Sequence, residues 1–243
     1  MKGAYYNDIS AHCCEWLRRL MWVGAIPEGA VDERSIAEVD PDYLRQFRQC
    51  HFFAGLGGWA LAARMAGWPE DRPLWTGSLP CQPWSCAGLQ RGANDERDLW
   101  HHQLRLIAEC KPATFFGEQV ASAVPKGWLD RAHDDLEAIG YACGAVIVPA
   151  AGVGAPHKRD RLWLVADAEW NEQPRQESCG RKVGRVGGQL QSLAWDADWE
   201  SAFARLRALD DGLPRNVAGT DAARNAIVPQ IAAQVIAAYM EAV

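Results

Sequence analysis

Gln49-Cys50-His51-Phe52-Phe53-Ala54-Gly55-Leu56-Gly57-Gly58-Trp59 is the stretch on which the fold turns. A short apolar run gives way at once to a glycine-rich turn and then to the helical pattern of Trp59 to Ala66, so the order is strand, glycine loop, helix. Glycines at 55, 57 and 58 let the backbone approach a ligand closely, and the helix behind them directs its N-terminal amides toward it. Taken alone, the pattern fits an ordinary tight strand-to-helix turn as well as it fits a nucleotide-like cofactor.

Alternation of strand and helix continues downstream. Leu74 to Leu79 is apolar and precedes a Pro-Cys-Gln loop, and Leu99 to Cys110 has helical periodicity. Ala113 to Phe116 reads as a short strand ending at Gly117-Glu118, Trp128 to Ile139 as a helix, and Tyr141 to Val148 and Arg161 to Ala166 as strands. This implies an α/β fold, a Rossmann-like, mostly parallel sheet with helices on both faces. Upstream, apolar residues from Ile9 to Val23 at spacings of three and four predict an amphipathic helix, and the charged, broken stretch from Pro27 to Arg48 reads as a linker with a helix start at Asp40-Pro41. Residues 1–48 are therefore expected to be an N-terminal helical extension, and residues 49–168 the main domain. Residues 169–211 interrupt the pattern with polar and basic side chains, as a small insertion would, and hold a helix around Glu200 to Leu209. Residues 212–243 return to the main domain through a helix from Ile227 to Ala242.

Composition narrows the class. The chain has 243 residues and 49% hydrophobic content, enough for one sizeable domain with a small appendage. No apolar run reaches membrane-spanning length and the start lacks a secretion signal, so a cytoplasmic protein without a membrane partner is expected. The eight cysteines lie outside CxxC pairs, which argues against a zinc site or a disulfide framework; no metal is expected. A net charge of −6 excludes a uniformly basic coat but not a local basic groove for DNA.

Three further motifs carry chemistry. In Leu79-Pro80-Cys81-Gln82-Pro83-Trp84-Ser85, prolines on both sides of the Cys81-Gln82 pair stiffen a loop at a strand end, a setting suited to a nucleophile if basic groups converge on it; otherwise Cys81 is an inert thiol. Gly117-Glu118-Gln119-Val120 places a carboxyl group at the same sheet edge, where ligands of open parallel sheets gather. In His157-Lys158-Arg159-Asp160-Arg161, the two arginines alternate along an incipient strand and share a face, able to hold an anion or polarise a carbonyl.

In this order the motifs resemble the DNA cytosine-5 methyltransferase family over roughly residues 49–167 and 212–240. Phe53 to Gly58 is similar to the family's cofactor loop, Pro80 to Ser85 to its nucleophile loop, Glu118-Gln119-Val120 to its Glu-Asn-Val element, and His157 to Arg161 to its Gln-x-Arg-x-Arg element. Arg224-Asn225-Ala226-Ile227-Val228-Pro229 is similar to the segment that walls the cofactor site. The resemblance implies a shortened class I methyltransferase fold with a small target-recognition insertion. It also implies S-adenosylmethionine as methyl donor, and double-stranded DNA bound by a monomer with its target base flipped out. Cys81, Glu118, Arg159 and Arg161 would be catalytic; Phe53, Ala54, Gly55, Leu56, Gly57, Gly58, Pro80, Asn225 and Ala226 would hold the cofactor; Gln82, Ser85, Gln119 and Val120 would contact substrate. A compact enzyme carried by a phage or another mobile element fits this description.

Departures from the family pattern are specific. His51 stands where an acid is usual, Gln119 replaces Asn and His157 replaces Gln. Only 21 residues separate Gly58 from Pro80, where the family fits two more strand units and an acid for the ribose hydroxyls. Glu70 or Asp71 is the nearest substitute along the chain. The missing wall also admits a second reading, a methyltransferase-like DNA-binding protein with impaired cofactor binding that acts as a scaffold or needs a partner.

Overall fold

The computed structural model describes residues 2–80, 98–150, 159–169, 184–185 and 226–243. The described strands are β1 (Lys2–Asn7), β2 (Gly29–Asp32), β3 (Phe47–Phe52), β4 (Leu74–Ser78), β5 (Thr114–Val120), β6 (Ala142–Pro149), β7 (Asp160–Asp167) and the two-residue β8 (Gly184–Arg185). The helices are α1 (Ala11–Trp22), α2 (Pro41–Leu44), α3 (Gly58–Met65), α4 (Trp100–Cys110), α5 (Trp128–Ala138) and α6 (Pro229–Ala242). One sheet runs in the order β2-β1-β3-β4-β5-β7-β6-β8. Its strands from β2 to β5 are all parallel, while β7 lies antiparallel between β5 and β6.

Consecutive residues of each strand feed opposite faces, so both faces are apolar and both carry helices. Phe115 and Leu162 join Leu106 and Ile107 of α4 and Leu129 and Leu136 of α5 on one side. Phe116 and Trp163 meet Trp59 of α3 and Ile231 and Ile236 of α6 on the other. Tyr6, Leu17, Leu20 and Ile26 extend that second side under α1. This is the mostly parallel sheet, covered on both faces, that strand-helix alternation implies.

The first 48 residues are not a helical extension. Asp8 and Ser10 do start α1 much as the periodicity predicts, with Ser10 as N-cap. But β1 on one side of that helix and β2 on the other are strands of the central sheet, and β1 pairs along almost its whole length with β3. In a doubly wound sheet of spatial order 3-2-1-4-5-6, the chain leaves the central strand, builds the two strands outward of it, and then crosses back. Here the central strand β3 leads directly through α3 to its other neighbour β4, and the two outward places are filled by strands that precede β3. The layout is the usual one with the chain order rotated. The two strand units that do not fit between Gly58 and Pro80 are therefore present, upstream.

Candidate active site

The glycine loop leaves β3 through a series of left-handed residues: Phe53 at φ 51°, Gly55 at 52° and Gly57 at 78°. Gly57 closes this turn as N-cap of α3 and faces α1, where an added Cβ would lie 2.9 Å from Leu20 Cδ1. At Gly58 a Cβ would fall 2.6 Å from Ile227 Cγ1, so the glycine lets the segment leading into α6 pack directly on the loop. The loop is tied to β1 twice. Ala54 N donates to Asn7 O at 2.9 Å, and Gly55 N donates to Asp8 Oδ2 at 2.8 Å. The other carboxylate oxygen of Asp8 accepts from Ser10 N at 2.9 Å.

Beyond Asp8, at the end of β2, Asp32 is clasped by Arg34, with Nη2 to Oδ2 at 2.6 Å and Nε to Oδ1 at 3.0 Å. Asn7 Nδ2 donates to the carbonyls of Asp32 and Arg34 at 3.2 and 2.9 Å, which fixes the turn after β2 against the end of β1.

Across the cleft, β4 and β5 end side by side. Trp59 Nε1 donates to Ser78 Oγ at 2.9 Å, and Ser78 pairs in register with Glu118. Glu118 is only 7% exposed, and its Oε1 lies 2.8 Å from Arg161 Nε. Burial raises its carboxyl above the ordinary range, against the opposing pull of Arg161 and Arg159. Arg159, at φ 33°, donates from Nη2 to Ala226 O at 2.6 Å and so anchors the lead-in to α6. Gln119 faces away from Glu118; its Oε1 accepts from Val120 N at 2.9 Å, and its buried Nε2 has no hydrogen-bond partner among the described residues.

These two halves border one cleft of about 560 Å³ at the carboxyl edge of the parallel strands, the position where open α/β sheets hold ligands. Of the residues expected from the sequence, Phe53, Ala54, Gly55, Leu56, Gly58, Pro80, Glu118, Gln119, Val120, Arg161 and Ala226 line it. Gly57 and Arg159 support it from outside, through α1 and through Ala226. Cys81, Gln82, Ser85 and Asn225 lie outside the described residues, as do the predicted helix at Glu200 to Leu209 and most of the insertion.

The residues that sequence reasoning missed come from the first 36 positions: Asp8, Ile9, Arg34 and Ile36 line the same cleft. Asp8 is the carboxylate beside the glycine loop. Glu70 instead pairs with Arg64 at 2.6 Å on the surface, and neither Glu70 nor Asp71 borders the cleft. His51 does not reach the cleft either. It is fully buried under the loop, with Nδ1 2.9 Å from Thr76 Oγ1 and its ring stacked on Tyr6, and burial lowers its pKa to about 3, leaving it neutral. A second cavity, of about 490 Å³ between β6, β7 and α6, is mainly apolar; its one charged lining residue, Asp167, is already bonded by Tyr239.

The model of the C-5 cytosine-specific DNA methylase family matches residues 67–179. Over that stretch, just under half of its length, the chain is similar to this family. Its match begins after the glycine loop, downstream of the point where the order of strands is rotated. Among curated relatives, the type II methyltransferase M.NgoMIV of Neisseria gonorrhoeae is 29% identical over 206 residues, covering 67% of this chain and 66% of that protein. M.NaeI of Lentzea aerocolonigenes is 30% identical over 154 residues, covering 60% of this chain and 37% of that enzyme. The chain thus spans less than two thirds of the length of these relatives. A DNMT2 variant of Spodoptera frugiperda is similar in structure, with a TM-score of 0.49 and 14% identity over 74% of this chain and 46% of that one.

Proposed function

We propose that the protein transfers a methyl group from S-adenosylmethionine to carbon 5 of a cytosine flipped out of double-stranded DNA, with Cys81 as nucleophile. The observation that carries this reading is the single cleft that joins the glycine loop and Asp8 at one end to the buried Glu118–Arg161 pair and Pro80 at the other.

The cleft fits the methyl donor. An ideal Cβ on Gly55 would have no neighbour nearer than Phe53 O at 3.9 Å, so the loop backbone is open to close approach. Each carboxylate oxygen of Asp8 accepts one backbone N–H and retains a lone pair for a ribose hydroxyl. Asp8 follows the strand next to the glycine-loop strand, the place where a ribose-binding acid stands in this sheet type. The donor, when bound, supplies an electrophilic methyl group on a sulfonium. With this wall in place, the scaffold reading loses the gap that motivated it.

At the base end, the Cys81 thiolate would add to carbon 6 and make carbon 5 nucleophilic. Glu118, held toward its protonated form by burial, would share its proton with ring nitrogen 3 and accept from the exocyclic amine. Arg161 would balance Glu118 when it ionises and orient the base carbonyl. Arg159 would act through Ala226, positioning the lead-in to α6 beside the cleft. After methylation, loss of the carbon 5 proton would let the thiolate leave. Extrusion of the base costs a few kcal/mol, offset by contacts in the pocket; the insertion at 169–211 would fill the gap left in the duplex or read flanking bases.

Duplex DNA containing 5-fluorocytosine tests this reading, because fluorine cannot leave as a proton does. A covalent protein–DNA adduct that requires S-adenosylmethionine and is lost in Cys81→Ser is the expected result. Methyl transfer that survives Cys81→Ser would overturn the mechanism.

A further inference from the structure

Beyond Asp8 the cleft continues along the ends of β1 and β2, where Ile9, Arg34, Ser35 and Ile36 line it. On the cofactor reading above, this is where the purine of the methyl donor lies. Ile9 is 75% exposed and Ile36 is buried, so the two offer apolar surface to a flat ring. The polar groups at this end are unevenly committed. The Asp32 carboxylate accepts from Arg34 N, Nε and Nη2 and from Tyr5 Oη at 2.8 Å, and it does not line the cleft. The carbonyls of Asp32 and Arg34 accept from Asn7 Nδ2, and Ser35 Oγ accepts from Ala37 N at 3.4 Å. The carboxylate at this end is therefore committed, while the Arg34 carbonyl and Ser35 Oγ each hold one donor. Of the donors, Arg34 Nη1 makes no hydrogen bond among the described residues, and the side chain is 51% exposed at the cleft.

We infer that Arg34 reads the purine through its ring acceptors, so that the site does not require the 6-amino group and accepts a 6-oxo purine as well as adenine. A guanidinium pairs readily with adjacent N7 and O6 acceptors, whereas adenine offers it N7 alone on that edge. Asp32, which would otherwise bond the amine, is held behind the guanidinium.

The test is titration calorimetry of the full chain with S-adenosylhomocysteine and with S-inosylhomocysteine, which differ at the purine 6 position. The 6-oxo compound is expected to bind within about fivefold of the 6-amino compound, or more tightly. In Arg34→Ala the guanidinium is lost and Asp32 is released, so the preference should move toward the 6-amino compound by about tenfold, as for one charge-assisted hydrogen bond. A 6-oxo compound more than about fivefold weaker in the unmodified protein overturns the inference, since a single unmet donor or acceptor contact is worth about that much or more. An unchanged preference in Arg34→Ala overturns the role of Arg34. If that variant does not fold, the comparison in the unmodified protein decides alone. Failure of the unmodified protein to bind either compound overturns the inference together with the cofactor reading, whereas binding of the 6-amino compound alone overturns only the inference.

Discussion

Asp8 and Gly55, 47 positions apart in the chain, are joined by a 2.8 Å hydrogen bond from the glycine amide to the carboxylate. This bond carries the end of β1 onto the turn after β3 and makes the upstream strands part of the same wall as the glycine loop. Removing the carboxylate leaves the Gly55 and Ser10 amides without their acceptor and deletes the proposed ribose contact. Asp8→Ala should weaken S-adenosylhomocysteine binding by about 10- to 100-fold, the range for hydrogen bonds to a charged group. Calorimetry measures this, and unchanged affinity would remove Asp8 from the site.

Glu118 gives a prediction in pH. Its folded carboxyl holds its proton above the unfolded value of 4.5. Above pH 4.5 the folded state therefore binds more protons at this group than the unfolded one, and stability is lost as pH rises through the folded pKa. Glu118→Gln removes that loss, so the variant should gain in melting temperature relative to the parent as pH rises from 4.5 toward neutrality. In the same variant, methyl transfer should fall by about 10²- to 10⁴-fold, the usual contribution of a positioned acid–base group.

His51 has the opposite sign. Burial lowers its pKa from 6.5 to about 3, so below pH 6.5 the unfolded chain takes up a proton that the folded one refuses. Stability should drop as pH falls through 6.5, and His51→Gln should flatten this slope. Melting curves at pH 7, 6 and 5 compare the two proteins; parallel slopes would show that His51 is not the group responsible.

Gly58 and Ile227 form a packed pair. Gly58→Ala places a methyl group 2.6 Å from Ile227 Cγ1 and should destabilise the fold by about 1–3 kcal/mol, as overpacking does. Trimming the partner should relieve it: in Gly58→Ala combined with Ile227→Ala, the alanine at 58 should cost less than it does alone. A double-mutant cycle in urea reads the coupling, and strict additivity would mean that the two positions do not touch.

Much of the fold is legible in the sequence because periodicity reports local structure well. α4, α5, α6 and the strands from β3 to β7 all fall close to their predicted spans. The strand at Ala113 to Phe116 is in fact longer, with Glu118, Gln119 and Val120 inside β5 rather than in the loop after it. β1 escapes notice because Tyr5 and Tyr6 are both fully buried, one on each face, which removes the alternation that marks a half-exposed strand. β2 is four residues long, too short for any period. Glu118 and Arg161, the pair proposed to handle the base, were readable because they come from strands in the expected order. Asp8 and Arg34 were not, since an acid sought after the glycine loop stands before it, and sequence spacing carries no information about which strand lies beside which.

The rotated strand order also bears on how such a gene can be rearranged. The link from α2 into β3 and the link from Gly67 to Pro73 both run along the amino edge of the sheet, opposite the cleft, and Lys2, Phe47 and Leu74 all begin their strands there. Splicing the coding segment for residues 2–46 out of its present place and into the Gly67–Pro73 turn would alter only connections at that far edge. Every described side chain that lines the cleft would keep its neighbours. Transposition of this segment is thus a change that inheritance can make while leaving the chemistry untouched.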